Sequence, residues 1–355
     1  MMIAGCRRPS FHGSGASACD RNTESTMAND RSENNLESTL HLHAPKKSLL
    51  RNYLELMRLP NVFTAMADVL MGFFFVQATG PEWIPIYRDW WMLLTLVGAS
   101  SALYLGGIVL NDVFDIELDR TERPQRPLPS GRVSPTAAWW LGWKLLSLGV
   151  FLGAVASVVA GHLRPAVVAI LAAATIVLYD RWLKRTPLGP VAMGVCRALN
   201  ILLGMSVFLG PFTTEHWLVA GALGLYVAGI TWFARHEARE SSRLQLAGGA
   251  ATMVIGVALL ALLPTVSERL ILPLQVDPQR WYLLITMLGV LIVWRCLWAI
   301  VEPVPLRVRM AVAQSVLSLV MLDAAVTYAI CGLFWAAVIL ALLAPALLLG
   351  RWIEI

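Results

Sequence analysis

The chain has 355 residues, of which 57% are hydrophobic and 14% charged, with a formal net charge of +5. A soluble protein carries about 25% charged residues, so the composition excludes an ordinary soluble domain and predicts an all-α, multi-pass transmembrane helical bundle. The positive balance calls for no nucleic-acid partner, because the basic residues gather in the loops on one side of the bilayer.

Residues 1–45 are polar, rich in Ser, Asn, Glu and Arg, and without apolar periodicity. They predict a disordered tail ahead of one transmembrane domain over 46–355. No signal-peptide core follows Arg7 and Arg8, and Met27 is an alternative start. Stretches of roughly 20 apolar residues then fall near 54–77, 91–111, 136–161, 165–180, 190–210, 216–234, 246–263, 281–300, 310–331 and 333–350. The last two are joined only at Cys331 and Gly332, so nine or ten helices are expected.

Lys and Arg crowd the loops after the even-numbered spans: Arg120, Arg123, Arg126 and Arg132, then Arg181, Lys184 and Arg185, then Arg235, Arg239 and Arg243, then Arg307 and Arg309. The opposite loops hold only Arg88, Arg164, Arg269 and Arg280. The basic loops and the N-terminus are therefore expected on the cytoplasmic face of the cell (inner) membrane. The scattered cysteines form no pair or metal motif.

In chain order, the first polar group is Arg58, Asn61 and Asp68 in span one, on one helical face. A charge in a span costs roughly 2.5–3.5 kcal/mol, so these are expected to line a cavity near the cytoplasmic end. The densest group closes span two: Asn111, Asp112, Asp115, Glu117 and Asp119. On a helix Asp112, Asp115 and Asp119 share a face at i, i+3 and i+7. Acids are unfavourable at a helix C-terminus, and three on one face repel unless a cation lies between them, for which Mg²⁺ is the hard, oxygen-seeking candidate. Guanidinium groups follow in the next loop, suited to holding the anion of such a metal. Tyr179, Asp180, Arg181, Lys184 and Arg185 form a second group between spans four and five, with Arg197 and Asn200 at i, i+3 in span five. A third, after span six, is Arg235, His236, Glu237, Arg239 and Glu240. A zinc reading would need HExxH, and position 240 is Glu. Asp323 in span nine and Arg295 in span eight are expected to pair across the bundle. Most of the tryptophans lie at span ends, as an aromatic belt does.

The pattern of Asn111, Asp112, Asp115 and Asp119 followed by Arg123, Arg126, Pro127, Leu128, Pro129, Ser130 and Gly131 resembles the UbiA superfamily of intramembrane prenyltransferases, nine-helix proteins. The likeness covers about residues 50–330 and extends to Arg58, Leu59 and Pro60 and to Tyr179 with Lys184 and Arg185. It implies transfer of a polyprenyl group from prenyl diphosphate to an unidentified aromatic or lipid-like acceptor, with Mg²⁺ held by Asn111, Asp112, Asp115 and Asp119 and by a second acidic motif. That second motif departs from the family's Asp pair. Glu237 and Glu240 could ligate a second metal, or Arg235 and Arg239 could bind diphosphate in its place. The Asp180–Arg181 insertion and the 232–237 stretch are similar to a UbiA-like branch found in Ebo-type bacterial gene clusters.

On this reading Asp112, Asp115, Asp119 and Glu237 are catalytic, and Arg58, Arg123, Arg126, Lys184, Arg185, Arg235 and Arg239 bind diphosphate. Asn61, Asp68, Tyr104, Phe114, Tyr179, Arg197 and Asn200 line the pocket. Cleaving an allylic C–O bond leaves an anion for the metal and the cations and a carbocation for aromatic walls, with Phe63, Tyr104, Phe114, Tyr179 and Phe208 the candidates. The rival expectation is a non-catalytic UbiA-like carrier of an isoprenoid or amphipathic metabolite, motivated by the altered second motif. A CDP-alcohol phosphotransferase is excluded, because Ile116 and Glu117 follow Asp115 where that family needs a glycine motif.

Overall fold

The computed structural model describes residues 48–79, 90–236, 242–270 and 275–353. The tail, 1–45, lies outside the described residues. Helices α1 (Leu49–Leu56), α2 (Val62–Thr79), α3 (Trp90–Phe114), α4 (Ile116–Glu122) and α5 (Pro135–Ala160) come first. They are followed by α6 (Arg164–Arg181), α7 (Gly189–Met205), α8 (Thr214–Phe233), α9 (Arg243–Ala261) and α10 (Leu263–Leu270). The chain ends with α11 (Pro278–Val301), α12 (Pro305–Cys331), α13 (Leu333–Ala341) and α14 (Leu343–Ile353). All ten predicted stretches are helical, and eight are long and apolar enough to cross a bilayer. The shorter α6 and α7 complete the set.

Local signals explain the helix ends. Pro135, Pro278 and Pro305 take the first helical position and Pro165 the second, within the first turn, where the missing N–H costs nothing. Ser134, Ser242 and Asp277 cap their helices through side-chain oxygens, as N-caps do. Span five ends at Met205, five residues before the apolar run does, because Ser206 begins a turn that leads into Gly210 and Pro211.

The spans pack on their chain neighbours, and α12 closes the ring on α2. The first span, Leu59–Ala78, is 78% buried, the deepest of those long enough to cross. Small residues set the closest approaches: a Cβ on Gly224 in α8 would meet the Gly194 carbonyl of α7 at 2.8 Å. Without a hydrophobic drive between helices in lipid, such contacts supply the packing. The tenth span, α13 and α14, packs on α12 and α2 and returns to the end where α1 begins, and there Arg51 donates to the Trp352 carbonyl at 3.2 Å.

Two expectations are corrected. Span one is not one helix through Arg58: the chain breaks after α1, Arg58 takes left-handed φ 44° and ψ 48°, and a 3₁₀ turn over Leu59–Asn61 leads into α2. Pro60 cannot continue a helix from upstream and disfavours helical backbone at Leu59. Arg58, Asn61 and Asp68 therefore do not share one helical face. Nor do Arg295 and Asp323 pair. Arg295 donates to the Ser318 hydroxyl at 3.2 Å, while Asp323 is fully buried against Asp68.

Candidate active site

The acid group lies where α3 passes into α4. Asp115 stands between the two helices, yet its N–H bonds the Asn111 carbonyl at 3.0 Å and its own carbonyl accepts from Asp119 N at 2.8 Å. The i to i−4 pattern thus runs on through the junction and keeps the three carboxylates on one side. Asp112 and Asp119 are each 4% exposed. Buried carboxylates need partners, and the basic groups supply them. Arg58 donates to Asp112 Oδ1. Arg126 donates to Asp119 Oδ2 at 2.6 Å and reaches Asp112 Oδ1 at 3.5 Å. Lys184 Nζ lies 2.7 Å from both Asn111 Oδ1 and Asp115 Oδ2, and Arg185 lies 3.4 Å from Asp115 Oδ1. Three carboxylates and four cations therefore interleave in one cluster.

The basic loop is held in place by its own small core. Leu128 and Val133 pack with Leu56 of α1, Val109 of α3 and Ala138 of α5. Arg132 makes two bonds to Glu55, at 2.7 and 2.8 Å, and one to Asn52 at 3.0 Å. The bonds to Glu55 push the Arg132 guanidinium above its ordinary value. Arg132 is thus a clamp that ties the loop to α1, a role its sequence position did not reveal. Arg123 sits at the start of the same loop, its N–H bonded to the Asp119 carbonyl at 2.9 Å.

Inward of the acid cluster a cavity of about 260 Å³ opens between α2, α3, α6, α7, α8 and α12. Its wall is mostly apolar, with Tyr104, Tyr179, Arg197, Asn200 and Asn111 among the polar exceptions. Asn111 is shared by the cavity and the cluster, so the two are continuous. Arg197 and Asn200 are fixed from behind by Asp68: Arg197 Nε lies 2.6 Å and Asn200 Nδ2 2.8 Å from Asp68 Oδ2. Ser100 donates to Asn200 Oδ1 at 2.6 Å.

Of the expected pocket residues, Tyr104, Tyr179, Arg197 and Asn200 meet at the cavity. Asp68 stands behind its wall, and Asn61 closes the 3₁₀ turn beside Arg58. Phe114 packs edge-on against Trp139, centroids 5.9 Å apart. Phe208 lies at the other end of the bundle, tilted against His216. Arg235 is exposed at the rim and donates to the Thr186 carbonyl at 3.0 Å, while Glu237, Arg239 and Glu240 lie outside the described residues. Two ionisable residues of the cavity, Asp180 and Cys196, were given no site role from sequence. Asp180 was visible as a member of the second polar group and of the Asp180–Arg181 insertion.

Among the described residues no three Asp, Glu, His or Cys side chains converge as a metal-binding group. The reason is geometric, since ammonium and guanidinium groups stand between the carboxylates. The donors themselves, an amide oxygen and three carboxylates, suit a hard divalent cation. Lys184 Nζ, shared equally by Asn111 and Asp115, occupies a position a cation can hold.

Residues 65–311 match the model of the UbiA prenyltransferase family. The chain is 30% identical over 171 residues to a digeranylgeranylglyceryl phosphate synthase of Saccharolobus solfataricus, covering 48% of this chain and 55% of that protein. A protein of the same name from Methanosarcina barkeri is 30% identical over 169 residues, covering 45% of this chain and 55% of the relative. The chain thus spans about half the length of these curated relatives. A solved structure described as digeranylgeranylglyceryl phosphate synthase in membranes superposes with TM-score 0.55 at 23% identity, covering 79% of this chain and 99% of that one. It shares the fold.

Proposed function

The chain belongs to the UbiA prenyltransferase family, and on that premise we propose that it moves a polyprenyl group from its diphosphate to an aromatic or lipid-like acceptor, with Mg²⁺. The observation that carries this reading is the interleaved cluster of carboxylates and cations at the mouth of an apolar cavity. A diphosphate head needs cations and a metal, whereas its tail needs a dry, apolar space. Asn111, Asp112, Asp115 and Asp119 would hold the Mg²⁺, with Glu237 and Glu240 as a second pair. The metal would supply charge neutralisation at the leaving diphosphate.

The rest of the work falls to the chain's own side chains. Arg58, Arg126, Lys184 and Arg185, with Arg123 and Arg235 toward the rim, turn from the carboxylates to the phosphate oxygens, and Arg239 is a further cation for them. Tyr104 and Tyr179 face the prenyl chain, and the apolar wall keeps water from the carbocation. Arg197 and Asn200, braced by Asp68, orient the acceptor from the inner end. The Lys and Arg bias supports a cytoplasmic site face in a cell (inner) membrane.

The test is Mg²⁺-dependent binding and turnover of prenyl diphosphates of several lengths by detergent-purified protein, beside an Asp112→Ala/Asp115→Ala control. The relatives' name makes geranylgeranyl diphosphate the first donor and a glyceryl phosphate lipid the first acceptor to try. Binding that vanishes without metal or in the control, together with diphosphate release, is the expected result. Binding without release would favour the carrier, and no binding at any length would end the prenyl reading.

A further inference from the structure

Asp180 lies in the last turn of α6, one residue after Tyr179, and is 3% exposed. It lines the cavity near Tyr179, Cys196 and Asn111, and its Oδ2 atom is buried without a hydrogen-bond partner. Every other carboxylate of the site has its cation: Arg58 and Arg126 serve Asp112, Lys184 and Arg185 serve Asp115, and Arg126 serves Asp119. Asp180 has none among the described residues. Lys184 directs its ammonium at Asn111 and Asp115 instead. The adjacent Arg181 turns away to lie over the Trp182 ring at 5.1 Å.

A carboxylate withheld from water and left without a donor is costly, and packing does not require it, since Asn or Leu would fill the same volume. Its open acceptor therefore fits a group that arrives with a ligand. Position says which group. Asn111 belongs both to the cation cluster and to the cavity, so a diphosphate held by Lys184 and Arg58 places its first carbon at the mouth, in the part of the cavity that Tyr179 and Asp180 wall. A side chain there meets the incoming nucleophile.

We propose that Asp180 is the proton acceptor for the second substrate, and that this substrate presents a hydroxyl, as an alcohol or a phenol. The proposal rests on the transferase reading above. The C–O bond to diphosphate breaks, and its electron pair leaves with the diphosphate. A lone pair of the hydroxyl oxygen forms the new bond to that carbon, and the hydroxyl proton passes to Asp180. The resulting carboxylic acid gives the proton up to water or to the departing diphosphate, which restores the carboxylate.

The test uses the full chain in nanodiscs with geranylgeranyl diphosphate and Mg²⁺, offered an alkylglycerol, an alkylphenol or azide. Prenyl products are measured for wild type, Asp180→Asn and Asp180→Glu. Wild type is expected to prenylate one of the hydroxyl probes, the alkylglycerol arm separating an alcohol from a phenol. Asp180→Asn is expected to lose about 10²–10⁴-fold of that rate while it still binds the donor in a Mg²⁺-dependent way. Its prenylation of azide, which brings no proton, falls far less, and Asp180→Glu recovers part of the hydroxyl rate. An Asp180→Asn protein that prenylates the hydroxyl probe as fast as wild type overturns the proposal. So does loss of donor binding in both variants, which would make Asp180 part of the metal site. Wild type that prenylates azide alone overturns the hydroxyl class. Wild type that releases no diphosphate in any arm fails the transferase reading itself and takes the proposal with it.

Discussion

Lys184→Met should move two binding constants in opposite directions. The Lys184 side chain is 10% exposed and its ammonium lies 2.7 Å from both Asn111 Oδ1 and Asp115 Oδ2. Hydrogen bonds to charged groups are worth about 1.5–3 kcal/mol each, and burial leaves little room for screening here. A metal that takes Asp115 must first displace this ammonium. Removing the competitor should therefore tighten Mg²⁺ binding in the absence of donor by about 1.5–3 kcal/mol, or roughly 10–150-fold. The diphosphate, by contrast, loses a buried cation. Truncating one partner of such a pair costs about 2–5 kcal/mol, so donor affinity at saturating Mg²⁺ should fall at least about 30-fold. Asp115 keeps Arg185 at 3.4 Å, but that side chain is 66% exposed and compensates weakly. Thermal unfolding against Mg²⁺ concentration reads the first constant, since a native-state ligand stabilises as RT ln(1 + [L]/Kd). Titration with an unreactive thiodiphosphate analogue reads the second. A variant in which Mg²⁺ and donor both weaken would refute the reasoning, because Lys184 would then be building the metal site rather than standing in it.

Three further outcomes are expected. Arg132→Ala should cost about 1.5–3 kcal/mol, the range for a hydrogen bond between charged groups, and should weaken donor binding by freeing the loop that carries Arg126; thermal unfolding and the thiodiphosphate titration check both, and Glu55→Gln should act in the same direction. Gly224→Leu, whose Cβ would meet the Gly194 carbonyl at 2.8 Å, should destabilise by at least about 1–3 kcal/mol through overpacking, whereas Gly221→Leu, with nothing within 4 Å of its Cβ, should unfold like wild type. Asp68→Ala leaves the buried Arg197 unpaired and should cost about 3–5 kcal/mol, while Asp323→Asn, which puts an amide donor beside Asp68 in place of a second carboxylate, should be tolerated; chemical denaturation of the two variants distinguishes them.

The spans were legible because length and apolar composition act locally, and the described helices fall on all ten runs. The acid motif was legible because three acids at a helix end oppose the helix dipole and so demand a reason. What escaped depends on the third dimension. Arg132 looks like its neighbours Arg123 and Arg126 in the sequence, and only the approach of α1, with Glu55 and Asn52, separates a clamp from a ligand group. Asp323 has a basic residue, Arg295, as an obvious partner one span away, yet the crossing of α2 and α12 sets it against Asp68 instead. Phe208 belongs to an apolar run as Tyr104 does, but α7 ends at Met205 and leaves Phe208 in a turn at the far end. Asp180 stood in the sequence as one member of a mostly basic group, and only the structure gives Lys184 to Asn111 and Asp115, turns Arg181 to Trp182 and leaves Asp180 facing the cavity.

The last span has a part in the site although it contributes no residue to it. Left-handed backbone at a residue other than glycine costs about 1–2 kcal/mol, and Arg58 carries that cost at the point where its guanidinium must reach Asp112. Strain of this kind persists only where the surroundings over-determine it. Pro60 fixes one side through the 3₁₀ turn, and the bond to Asp112 fixes the side chain. α14 packs directly on that turn, and the Arg51 bond to Trp352 ties α1 to the same helix end. Without this brace the chain from α1 to α2 could relax toward ordinary backbone and carry Arg58 away from the carboxylates. No residue of α13 or α14 lines the cavity, so what the tenth span brings to the site is its contact with the turn that carries Arg58 toward Asp112.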